Sequence, residues 1–62
     1  MLHWYVLDIY TRFHECIWHE RFAVVWLNHA DAYARAVVDN LKKDKIDADY
    51  YIIKEDNRHG RI

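Results

Sequence analysis

The chain has 62 residues, a net charge of −1 and a single cysteine, Cys16. A chain this short builds one core, and no intrachain disulfide can tie it. Near-balanced charge, 9 Lys+Arg against 10 Asp+Glu, lacks the basic face that grips nucleic acid or an anionic membrane, and no apolar run approaches the ~18 residues of a membrane span. The opening MLHWYVLD has no basic stretch and carries Asp8, so it does not read as a signal peptide. A reducing cytoplasm is the expected setting for a lone thiol. The unusual figure is the aromatic content, with three Trp, five Tyr and two Phe. Each ring can bury roughly 150–250 Å², which is more than one helix on one sheet face would cover.

Residues 2–11, LHWYVLDIYT, are rich in β-branched and aromatic side chains and predict a strand. One face carries His3, Tyr5, Leu7 and Ile9, the other Leu2, Trp4, Val6, Asp8 and Tyr10. Both are largely apolar, which suits a central strand, and Asp8 marks the second face as the less buried. Residues 11–15 predict the reversal. Residues 16–28 predict a long second strand, with a short helix over 12–20 as the competing reading. The smaller set Ala23, Val25 and Leu27 is expected to face the helix, which sends Trp18, Phe22, Val24 and Trp26 outward.

Residues 28–45 predict the helix. Asn28 is the expected N-cap, Asp31 sits near the positive end of the dipole and Lys42, Lys43 and Lys45 near the negative end. Tyr33, Ala36, Val37 and Leu41 recur at three- and four-residue spacing as the apolar stripe. Residues 46–56 alternate again and predict a third strand, with Ile46, Ala48, Tyr50 and Ile52 towards the helix and Asp47, Asp49, Tyr51, Ile53 and Glu55 away from it. Residues 57–62 predict a frayed tail. The expected domain is thus residues 1–56, an α+β fold of β-β-α-β order. Its three-stranded, mainly antiparallel sheet has spatial order 2-1-3 and one helix on one face.

The densest run of chemistry is FHECIWHE at 13–20. The helical zinc pattern His-Glu-x-x-His needs imidazoles four apart on one face, whereas His14 and His19 are five apart. On a strand His14 and Cys16 share a face and His19 opposes them. Two ligands fall short of the three or four that zinc requires, so no metal and no cofactor are expected. A metal-stabilised domain using His14 and Cys16 stands as one alternative. A Cys16–histidine nucleophile pair would also need an orienting group and a cleft, so the chain does not read as an enzyme.

The surplus rings point instead to a partner surface on the uncovered sheet face: Trp4, Asp8, Tyr10, Trp18, Trp26, Asp49, Tyr51 and Ile53. Exposed apolar patches mark interaction sites, and Trp and Tyr dominate binding hot spots. The function read from this is non-enzymatic protein–protein interaction, with a target protein or with a second copy as a homodimer. The alternative of single-strand nucleic-acid binding by stacking is disfavoured by Asp8, Asp49 and Glu55 at outward positions. No motif identifies a family. The strand–strand–helix–strand order and the missing catalytic kit are similar to those of small accessory proteins with which bacteriophages bind and block a host protein. That resemblance is architectural, implies an inhibitor or modulator, and assigns no residue.

Overall fold

A computed structural model describes residues 1–56; the expected frayed tail at 57–62 lies outside them. The chain forms β1 (His3–Tyr10), β2 (Cys16–Val24), α1 (Asn28–Lys43) and β3 (Tyr50–Glu55). The sheet order is β2-β1-β3, and β1 is antiparallel to both neighbours. The expected α+β architecture is therefore the one observed.

The reversal at 11–15 is built by Thr11. Its hydroxyl accepts the amides of Phe13 (3.1 Å) and Glu15 (3.3 Å), while its carbonyl accepts that of His14 (2.9 Å). His14 takes the left-handed conformation, φ 67°. These bonds satisfy the turn before β2 begins, so residues 12–20 do not form a helix. A bulge between Ile9 and Tyr10, which pair with Trp18 and Cys16, leaves Ile17 as the extra residue.

The core lies between the helix and one sheet face. Leu7 and Ile9 are fully buried, joined by Phe22, Ala30, Ala34, Val38, Leu41 and Ala48, with Tyr5, Val24, Tyr51 and Ile53 packed against them. Two expectations are corrected here. On β2 it is Phe22 and Val24, not the smaller set, that face the helix. The helix itself supplies the small residues, Ala30 and Ala34, and leaves room for the Phe22 ring between Tyr5 (5.9 Å) and Tyr33 (4.6 Å). The buried stripe of α1 is correspondingly Ala30, Ala34, Val38 and Leu41, and Tyr33 and Ala36 are exposed.

On β3 the faces are reversed. Tyr51 and Ile53 face the helix, and Tyr50, Ile52 and Lys54 share the open face with Tyr10, Asp8 and Val6 opposite them. The cause is a break in alternation ahead of the strand. Residues 46–49 are irregular, and the Asp49 amide bonds the Tyr10 carbonyl (2.8 Å) one position out of the β1–β3 register. Ala48 and Tyr51 thus both reach the core although three residues apart.

Both helix ends differ from the sequence reading. Leu27, already in helical geometry, occupies the N-cap, and no side chain caps this end. The amides of His29 and Ala30 bond the carbonyls of Trp26 (2.9 Å) and Leu27 (3.2 Å), so the chain enters the helix one residue before Asn28. At the other end the Ile46 amide reaches the Leu41 carbonyl (3.0 Å) and the Lys45 amide the Lys42 carbonyl (2.9 Å). With Lys45 at φ 63° this is a Schellman ending with lysine where glycine is usual.

Candidate interaction surfaces

The face of the sheet away from the helix carries Trp4, Val6, Asp8 and Tyr10 from β1. Ala23, Arg21 and His19 stand opposite on β2, and Lys54, Ile52 and Tyr50 on β3. Its polar groups are matched across strands. His19 Nδ1 lies 2.5 Å from Asp8 Oδ1. Arg21 Nε donates to Asp56 Oδ2 at 2.7 Å and its guanidinium lies over the Trp4 ring at 5.1 Å. The rings are matched too: Tyr10 stacks on Tyr50 at 5.1 Å, and the Tyr50 hydroxyl meets His14 Nδ1 at 2.9 Å. Desolvation, with Asp8, Cys16 and Tyr50 adding to it, holds the Tyr10 phenol above its ordinary pKa. Trp4, Val6, Asp8 and Tyr10 are all half-buried. Among the described residues no further layer covers this face, yet most of it is occupied by its own contacts.

A second aromatic group lies on the helix side of β2. Glu20 accepts the Trp18 indole N–H (2.7 Å) on one oxygen and the Tyr33 hydroxyl (2.5 Å) on the other. This bond keeps the Tyr33 phenol protonated to higher pH than usual. The clamp ties the edge strand to the helix across a rim that the helix does not fully cover.

The third region is the end of the molecule where β2 passes into α1. Val25, Trp26 and Leu27 are consecutive and 54%, 65% and 59% exposed. Because His3 pairs with Val24, the chain at Leu2 lies beside Val25, and Leu2 is 55% exposed. Four large apolar side chains thus crowd one tip. Among these four side chains no ring stack, ion pair or side-chain hydrogen bond is formed within the described residues.

The expected partner residues therefore scatter. Trp4, Asp8 and Tyr10 share the open face, Trp18 stands on the opposite side at the sheet edge, and Trp26 is at the tip. Asp49 is exposed in the irregular segment before β3. Tyr51 and Ile53 pack on the core instead of facing outward, and the Tyr51 hydroxyl donates to Asp31 on the helix. The sequence reading missed Leu2, Val25 and Leu27. The signal for Val25 and Leu27 was the run AVVWL at 23–27, too apolar on both faces for an edge strand.

FHECIWHE is dispersed as well. His14 turns to Tyr50, the Cys16 thiol donates to the Trp18 carbonyl (3.4 Å) and His19 pairs with Asp8. Among the described residues no group of three or more His, Cys, Asp or Glu could hold a metal ion. An open groove of about 380 Å³ runs between α1 and β3, lined by Arg35, Val38, Asp39, Lys42, Asp49 and Tyr51 among others. Its charges alternate in sign, and Arg35 is tied to Asp31 at 3.0 Å. No described helix is long and apolar enough to cross a membrane. Comparison with known protein families, curated proteins and solved structures found nothing that matches this chain.

Proposed function

We propose that the protein is a non-enzymatic interaction module that binds a target protein through the apolar tip Leu2, Val25, Trp26 and Leu27. The observation that supports this is the exposure of four adjacent large apolar side chains at one tip, whereas the other strongly exposed ring, Phe13, stands alone in the β1–β2 turn with the Arg12 guanidinium 5.8 Å from its centre. Such side chains gain most from water exclusion when they enter a partner's cavity, and Trp is the commonest anchor at binding hot spots. Binding here would block or modulate the target sterically, with no chemical step. The exposed thiol of Cys16 suits a reducing cytoplasm.

Nucleic-acid binding has less support. The open face does carry cations, Arg21 and Lys54, which the sequence reading did not place there. But Arg21 is committed to Asp56 and Trp4, and two of the face's rings are stacked on each other.

The test is gel filtration of native extract alongside a Val25→Ser/Trp26→Ser/Leu27→Ser variant. The wild type should run in a complex heavier than twice its 7.6 kDa, and the folded variant should not. A wild type no heavier than its own dimer overturns the reading.

A further inference from the structure

The ladder phase decides which backbone groups each edge presents. The Asp56 amide donates to the Trp4 carbonyl, and these two residues stand opposite one another when the β1–β3 register, which runs to Tyr5 and Glu55, is continued by one position. Trp4/Asp56 is therefore a hydrogen-bonded pair, and such pairs recur every second residue. It follows that Tyr50, Ile52 and Lys54 direct their N–H and C=O groups to β1. Tyr51, Ile53 and Glu55 direct theirs outward, where no described strand meets them. By the same alternation Ile17, His19, Arg21 and Ala23 point outward on β2.

Two copies of a chain can join sheets antiparallel about a two-fold axis only in registers that keep each face continuous. For β2 the central registers bring His19, Glu20 or Arg21 against its own copy, so like side chains meet at the axis, and the Ile17 bulge disturbs the strand's first turn of pairing. Those are the devices that blunt an edge. β3, sequence YYIIKE, carries none of them before Lys54.

We infer that β3 is a self-pairing edge, joining a second copy antiparallel about Ile52. In this register Ile52 faces Ile52 of the other copy as a close, non-hydrogen-bonded pair. Tyr51 and Ile53 exchange backbone hydrogen bonds with the other copy's Ile53 and Tyr51, and Lys54 lies against its Tyr50 ring. Sliding by one step towards the strand's end sets Ile52 against Lys54 and Tyr51 against Glu55 and leaves only Ile53 against its own copy, which weakens the apolar pairing. Ile52 is 41% exposed on the open face, so pairing covers apolar surface there as well as backbone. The product is one six-stranded sheet of order 2-1-3-3-1-2. The tips lie at the ends of β1 and β2, which this pairing does not use, so this inference does not rest on the proposed function.

The register is read by cysteine scanning in a Cys16→Ser background. In a close antiparallel pair the two Cα atoms are about 4.5 Å apart, within disulfide reach. Residues at position 54 of the two copies would be about 13 Å apart along the strands. Under a glutathione redox buffer, Ile52→Cys should form covalent dimer at least about tenfold more than Lys54→Cys. Equal linkage at both positions, or none at position 52, overturns the inference. If circular dichroism shows the Ile52→Cys chain unfolded, Ile52→Lys and Ile52→Glu decide. Each should be a monomer by light scattering and their mixture a dimer; a mixture that stays monomeric overturns the inference equally.

Discussion

The open sheet face and the β2–α1 tip are both regions that the helix leaves uncovered, and both carry a tryptophan. They differ in what surrounds it. Trp4 sits under the Arg21 guanidinium, beside an ion pair whose acid, Asp56, has a side chain only 3% exposed. Trp26 has apolar neighbours and no partner of that kind among the described residues, and is 65% exposed. A missing layer therefore does not make a surface available. In a sheet, cross-strand partners at matched positions can satisfy a face on their own, whereas a run of consecutive apolar residues in a connection has no strand opposite to match it.

The largest effect should come from the covered face, which sets the scale for both. Leu7→Ala removes a fully buried side chain and should cost about 2–5 kcal/mol. A domain of this size has a thin margin, so the thermal transition should disappear from far-ultraviolet circular dichroism. On the open face Arg21→Ala strips a partner from the buried Asp56 carboxylate, and urea unfolding should show a loss of about 1–3 kcal/mol. An unchanged midpoint would mean that the face is not held by this pair and that Trp4 is as available as Trp26.

A smaller effect follows from Tyr10. Its phenol titrates above the ordinary value of 10.0, first through desolvation and then through Asp8. A raised acid pKa means the folded state favours the protonated phenol. That contribution is complete below pH 10.0 and is lost as pH rises through the folded value. Stability should fall on alkaline titration, and Tyr10→Phe should flatten that fall. A Tyr10→Phe chain with an unaltered alkaline profile would detach Tyr10 from the stacked face. The smallest change should come from the tip, where Trp26→Ser should alter stability by no more than about 0.5 kcal/mol. A larger loss would show that Trp26 is core.

Much of this was legible in the sequence, for identifiable reasons. The central position of β1 follows from its two apolar faces, and Asp8 marked the open one correctly. The helix body follows from its alanines and its terminal charges. What failed were the points where packing outweighs local pattern. The side of β2 that meets the helix depends on how small the helix surface is, and Ala30 and Ala34 do not stand out beside Tyr33 and Leu41. The faces of β3 depend on a register break at Asp49, which reverses every later residue without leaving a glycine or proline to mark it. Of the candidate surface, Trp26 could be picked out as a surplus ring. Its grouping with Leu2 required the β1–β2 register.

The most direct measurement places a photoreactive amino acid at position 26, on the tip, or at position 6, on the open face, and irradiates the protein in its native cells. The account predicts a discrete adduct to one other protein from position 26 and none from position 6. An adduct from position 6 with none from position 26 would contradict it, and would return the function to the sheet face.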